Sequence, residues 1–201
     1  MSIIQGSSAI DNLVGTLEKD TISDLGEQDF INGLNGDDIL SGHTGKDVLD
    51  GGEGNDSLFG GSEDDILSRN NGNDVIFGDS GVDILLGVNP DSPNPGQGEI
   101  DTFSGGQGSD FFYLGNQAQA FYNGGGDADF ALITDFNPQK DFIKIHGNLP
   151  FETTNMTLEN LGTGVGIFVQ NLSVENDLIG FLQNVDLNQL DGRTNFLSLL
   201  S

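Results

Sequence analysis

Aspartate recurs on a nine-residue beat at Asp11, Asp20, Asp29, Asp38, Asp47, Asp56, Asp65, Asp74 and Asp83, then at Asp101 and Asp110. The beat is broken once, at Ser92, and resumes in phase. Carboxylates serve as general acids, general bases or cation ligands, and their surroundings decide which. Glycine stands two residues before many of these acids, as Gly36, Gly45, Gly54, Gly72, Gly81 and Gly108. It stands four residues before three of them, as Gly52, Gly61 and Gly106. Glycines at these places permit positive φ and let six residues close a tight loop with carbonyls turned inward. The ligands on offer are then all oxygens, from carboxylates and backbone carbonyls. Such cages with flexible geometry suit calcium, whereas magnesium demands stricter octahedral geometry. Zinc and copper prefer nitrogen or sulfur, which these loops do not offer.

The elements that must position these acids follow from a second periodic signal. Two residues after each aspartate stands a large apolar residue: Leu13, Ile22, Ile31, Leu40, Leu49, Leu58, Leu67, Ile76, Leu85, Phe103 and Phe112. An acid and a core residue locked to one period mark a repeat architecture. Each nine-residue frame reads as a six-residue turn and a three-residue strand whose middle side chain points one way. A strand this short cannot bury its apolar face alone, so coils must stack. Each frame reverses the chain and two frames make one coil. The spacing therefore predicts two rows of acids. One holds Asp20, Asp38, Asp56, Asp74 and Asp110, and the other holds Asp11, Asp29, Asp47, Asp65, Asp83 and Asp101. Stacked strands lie about 4.8 Å apart, so neighbours in a row repel by roughly 0.9 kcal/mol even at the dielectric of water. A divalent ion between rungs reverses that sign.

The array covers residues 1–113. The frame from Gly87 to Pro95 contains Pro90, Pro93 and Pro95, which cannot donate ladder hydrogen bonds. It reads as an inserted surface loop near 88–98. Residues 114–201 read as a β-rich capping region, since the last open rung of a solenoid must be covered. Strands are expected over Phe130 to Phe136, Asp141 to His146, Gly166 to Val169, Leu178 to Gln183 and Phe196 to Leu200. Turns are expected at Asn137-Pro138 and at Gly162 to Gly164.

Composition sets the outer bounds. The 201 residues carry 32 acidic and 6 basic side chains, a formal charge of −26. That balance argues against nucleic acid, whose phosphates need clustered Lys and Arg, and against anionic membrane surfaces. Apolar residues make up 35% of the chain and are periodic, which separates it from a disordered acidic tail once cations are present. Without cysteine, disulfides, thiolate metal sites and a cysteine nucleophile are excluded. No stretch approaches the roughly 18 apolar residues of a membrane span, so no membrane insertion is expected. Met1 to Ile10 is short and mostly polar, unlike a cleavable leader.

Two frames, Gly51-Gly-Glu-Gly-Asn-Asp-Ser-Leu-Phe59 and Gly105-Gly-Gln-Gly-Ser-Asp-Phe-Phe-Tyr113, match the pattern G-G-x-G-x-D-x-U-x at every defined place. The chain thereby resembles the RTX, or haemolysin-type, calcium-binding repeat proteins of bacteria. The resemblance implies an all-β fold, a right-handed parallel β-roll with several calcium ions between successive loops and a β-rich C-terminal cap. It also implies secretion from the cell through a type I secretion apparatus, with Thr194 to Ser201 as the candidate export signal. Ile133 to Ile145 resembles the segment that follows the array in many such proteins. Candidate metal residues are, first, Asp38, Asp47, Asp56, Asp65, Asp74 and Asp83, then Asp101, Asp110 and Asp129. Asp29, Asp20 and Asp11 come last, because their frames lack the full glycine pattern. Gly36, Gly45, Gly52, Gly54, Gly61, Gly72, Gly81, Gly106 and Gly108 shape the loops around them.

Other signals point away from catalysis. Gly78-Asp79-Ser80-Gly81 resembles a serine-protease motif, but the repeat register explains it and no histidine partner is at hand. His43 and His146 are isolated, and neither belongs to an H-E-x-x-H helix. Phe103, Phe111, Phe112, Phe121, Phe130 and Phe136 read as core where the roll meets its cap. The expected function is calcium binding by a secreted, non-enzymatic module that folds on calcium outside the cell. The alternative is a polysaccharide- or cell-surface-binding module, adhesin-like or the tail of a larger exported enzyme.

Overall fold

The computed structural model of the protein describes residues 1–68, 70–87, 96, 98–115, 122, 129–146, 150–169, 177–190 and 196–199. Each frame supplies one strand, and successive strands fall alternately on two facing sheets. The first sheet takes β1 (Ser2–Gln5), β3 (Asp20–Ser23), β5 (Ile39–Thr44), β7 (Ser57–Ser62), β9 (Val75–Gly81) and β11 (Ile100–Ser104). The second takes β2 (Asn12–Val14), β4 (Phe30–Asn32), β6 (Val48–Asp50), β8 (Ile66–Ser68), β10 (Ile84–Leu86) and β13 (Phe111–Tyr113). The two-residue β12 (Gln107–Gly108) pairs with β9. All these pairings are parallel, and Ile39, Ser57 and Val75 stand opposite one another at eighteen-residue steps. This is the parallel β-roll that the repeat implies.

The apolar residue of each frame points between the sheets. Ile22, Leu40, Leu58, Ile76 and Phe103 form one stack, and Ile31, Leu49, Leu67, Leu85 and Phe112 form the other, all of them buried. Full burial of such a side chain contributes about 1.5–3 kcal/mol, which a three-residue strand obtains only by stacking. At the N-terminal end Ile4 and Leu13 pack against this core but are only partly buried.

The register changes once within the array. Thr102 lies opposite Val75 and Phe111 opposite Ile84, steps of 27 residues rather than eighteen. One whole frame therefore adds no rung. Of the expected loop near 88–98, positions 88–95 and 97 lie outside the described residues. Its consequence corrects the expected rows. Skipping a single frame exchanges the two edges for everything that follows, so Asp101 stacks on Asp74 and Asp110 on Asp83.

Both sheets continue past residue 113. β14 (Phe130–Ile133) pairs with β11, and β15 (Phe142–His146) pairs with β13. The second sheet ends on β19 (Phe196–Leu199), parallel to β15. On the first sheet β18 (Asp177–Gln183) adds in parallel to β14. β17 (Gly162–Val169) and the edge strand β16 (Phe151–Leu158) then extend it antiparallel. The turn expected at Gly162 to Gly164 falls earlier, at Glu159 to Leu161, with Asn160 at φ 68°. Strand β16 escaped the sequence reading because none of its residues is fully buried, so its segment Glu152 to Asn155 carries no apolar alternation. Phe103, Phe112 and Phe136 form a ring cluster with centroids about 6 Å apart, and Phe130 joins a second core with Leu178 and Phe181. Phe111 differs from expectation. It lies on the outer face, stacked on Phe142 beside Lys144. Phe121 lies outside the described residues.

Candidate metal centre

Each ladder aspartate ends a turn and begins a strand, so its backbone is held by the sheet while its side chain faces the gap between turns. Along one edge the backbone N–H of Asp20 donates to Oδ1 of Asp38, Asp38 to Asp56, Asp56 to Asp74 and Asp74 to Asp101, over 2.5–3.0 Å. Along the other edge Asp11 donates to Asp29, Asp29 to Asp47, Asp47 to Asp65, Asp65 to Asp83 and Asp83 to Asp110, over 2.6–3.0 Å. One carboxylate oxygen of each rung is thereby fixed by the rung before it.

The other oxygen is where a cation fits. Oδ2 of Asp29, Asp38, Asp47, Asp65, Asp83 and Asp110 is buried and accepts no hydrogen bond. Leaving such an oxygen dry and unpaired costs several kcal/mol. The glycine that opens most frames, as at Gly42, Gly60 and Gly78, leaves space beside it. A Cβ on Gly60 would lie 2.4 Å from Asp65 Oδ2 and 2.9 Å from the carbonyl oxygen of Gly78 one coil on. The same holds at Gly42, with Asp47 Oδ2 at 2.3 Å and the Gly60 oxygen at 2.9 Å. A carboxylate and a backbone carbonyl thus converge on a cradle between successive turns, the donor set expected of a calcium site.

Glycines farther into each turn serve the close stacking. Gly52 and Gly54 have φ of 98° and 123°, and a Cβ on either would strike the carbonyl of Leu34 or of Gly36 in the coil before. Gly36, Gly45, Gly61, Gly72, Gly81, Gly106 and Gly108 share the left-handed backbone. Glu63 stands where the pattern has glycine and still takes φ 78°, so the turn is kept at a strain cost.

Electrostatics agree with two columns of buried charge. Burial pushes the Asp65 carboxyl up to about 8, with Asp83 and Asp47 adding to the rise. Burial likewise raises Asp83 to about 7 and Asp47 to about 6, with Asp110 and Asp29 as the nearest like charges. Asp38 and Asp110 are raised by the same cause.

The first two loops differ. Ser7 donates through both N and Oγ to Oδ2 of Asp11, and Thr16 does the same to Asp20, at 2.6–2.8 Å. Those hydrogen bonds hold Asp11 below the usual carboxylate range. At Asp20 burial acts upward, and the hydrogen bonds from Thr16 and Ser2 outweigh it. Neither acid offers the open oxygen that the later rungs do.

At the far end, Tyr122 donates its hydroxyl to Asp101, and Ala131 stands opposite Asp101 in the next strand. Asp129 is buried but off the column, accepting from Gly98 N at 2.9 Å. The other column gains a rung that the nine-residue beat did not reveal. Asp141 accepts from Asp110 N at 3.2 Å and from Asn137 N at 2.7 Å, and burial raises it to about 6. Its signal was the local spacing to Ile143, the same acid-x-apolar unit. A second omission is Asp24, which occupies the opening-glycine place of its frame. It is fully buried, and burial together with Asp29 and Asp11 raises it to about 7. Single carboxylate oxygens of Asp11, Asp24 and Asp29 all lie within 4.8 Å of one another.

Comparison with known proteins adds one match. Residues 5–40, 32–67, 60–87 and 96–131 each match the model of the RTX calcium-binding nonapeptide repeat. No curated protein matches the chain.

Proposed function

The chain belongs to the RTX calcium-binding nonapeptide-repeat family, and from that we propose a calcium-triggered folding module that acts outside the cell. Its repeats bind calcium. The single observation that carries the rest is the pair of carboxylate columns, in which Oδ2 of Asp29, Asp38, Asp47, Asp65, Asp83 and Asp110 is buried and accepts no hydrogen bond. Asp38, Asp47, Asp65 and Asp83, with the glycine carbonyls that converge on them, are the groups that would hold the ions. Bound there, a divalent cation neutralises facing carboxylates that otherwise repel. Without it, the stacked form carries that repulsion while the unfolded chain does not.

Sites of the extracellular class bind calcium at about 10⁻⁴–10⁻³ M, well above cytosolic levels. Inside a bacterial cell the array therefore stays open, a form suited to threading through a type I secretion channel. Outside, binding to the folded form alone drives closure by mass action. The module is read as structural rather than enzymatic. Residues 194–201 are its candidate export signal, of which 196–199 form β19 on the second sheet. Among the described residues no helix is long and apolar enough to cross a membrane.

The test is a circular-dichroism titration. Cooperative gain of β signal with calcium, and far less with magnesium, is expected. A chain equally folded in excess chelator would overturn the proposal.

A further inference from the structure

In the first gap of the roll, between the turns 6–11 and 24–29, the repeat pattern is broken in one informative way. The place that opens a frame is glycine at Gly6, Gly42, Gly60 and Gly78, but aspartate at Asp24. Its side chain occupies the cradle that the later gaps leave open. A Cβ on Gly6 would lie 2.2 Å from Asp24 Oδ1, so glycine one coil earlier makes the room. Oδ1 of Asp24 accepts from Leu25 N at 2.7 Å, which fixes the carboxylate. Oδ2 is buried and no donor of the backbone or of a basic or neutral side chain reaches it, and the same is true of Oδ2 on Asp29, so the two carboxyls face each other. Asp11 is held in place by Ser7. Among the described residues no lysine or arginine pairs with any of the three.

We propose that Asp11, Asp24 and Asp29 form a three-carboxylate site that holds one hard divalent cation, calcium, more tightly than the glycine-cradled gaps do. An ordinary gap joins two carboxylates, as Asp47 and Asp65 do. This one joins three, with two open oxygens buried among them. Affinity in oxygen-ligand sites rises with the number of charged ligands. The three oxygens lie within 4.8 Å of one another, so an ion seated among them would be closer than that to each, and one further unit charge raises its affinity at least about tenfold even at the dielectric of water. The gap also lies beside the thinly covered N-terminal coil, where Ile4 and Leu13 are only partly buried. A tight ion there fastens the end of the stack with the least apolar support. The inference rests on the array taking calcium.

The test is calorimetric titration of the full chain with calcium, alongside circular dichroism. The variants are Asp24→Asn, which keeps the shape, and Asp24→Gly, which restores the residue found in the neighbouring frames. Asp83→Asn, on a rung remote from the three acids, serves as an ordinary-rung control. The wild type should show one ion bound at least about tenfold more tightly than the rest. Both Asp24 variants should lose that ion, keep the weaker ones and still fold with calcium. The control should keep the tight ion. Three results overturn the site while leaving the calcium reading intact. They are persistence of the tight ion in Asp24→Asn, a wild type that folds with calcium but has no tight class, and failure of both variants to fold at saturating calcium. A wild type that binds no calcium would overturn the proposed function itself, and this inference with it.

Discussion

Replacing Asp65 by asparagine separates a carboxylate that serves the fold from one that serves a cation. Asp65 sits at the middle of its column, 1% exposed, between Asp47 and Asp83. An asparagine keeps a side-chain oxygen for the Asp47 N–H and removes one charge. In chelator above about pH 8, where Asp65 is ionised in the roll, that removal relieves two like-charge contacts, each roughly 0.9 kcal/mol at about 4.8 Å in water and larger in a partly dry gap. The metal-free roll should therefore gain at least about 2 kcal/mol. With calcium the sign inverts, because two gaps each lose an anionic ligand, and the calcium concentration for half-folding should rise at least about tenfold. The metal-free arm can be read by folding the chain in chelator with a stabilising osmolyte, which strengthens burial without occupying a site. The variant should need less osmolyte and more calcium than the wild type. If it is weakened in both arms, Asp65 is a structural hydrogen-bond acceptor and the cation argument fails.

Acid should substitute in part for calcium. Asp65, Asp83 and Asp47 are raised to about 8, 7 and 6 by burial and like charge, against an unfolded value of about 3.9. Protonation therefore favours the fold. The support is complete below about pH 4 and is lost as pH rises through the folded values. In chelator, β signal should grow as pH falls from 8 towards 5, while the calcium needed for half-folding rises. A metal-free chain that loses β signal over that range would refute this. Gly60→Ala should fill one cradle, since its Cβ would lie 2.4 Å from Asp65 Oδ2. Gly60 is not among the residues of positive φ, so the cost is steric. Calorimetry should count fewer ions, and an unchanged count would place the ion elsewhere.

Most of the roll was legible because a short repeat writes its geometry twice, once in acids and once in core residues. Leu40, Leu58 and Ile76 stack where the period puts them. The edge assignment of Asp101 and Asp110 was not legible from period alone. Counting residues treats the skipped frame as a rung, whereas only the pairing register tells whether a frame is in the stack. Asp24 was missed because periodic reading attends to the expected place of an acid, and here the acid stood at a glycine place. Asp141 was missed because 31 residues separate it from Asp110. Strand β16 lacked alternation, since neither of its faces is fully buried.

The 27-residue step in register also constrains how such a chain can grow. A duplicated nonapeptide that joined the roll would send every later turn to the opposite side, parting acids from the partners they have. A duplicated pair preserves all pairings downstream. Lineages of this architecture should therefore lengthen by pairs of repeats, or by single repeats expelled as loops. An expelled repeat is free of the stacking rule, and so is the segment where new sequence can accumulate at least cost to the fold.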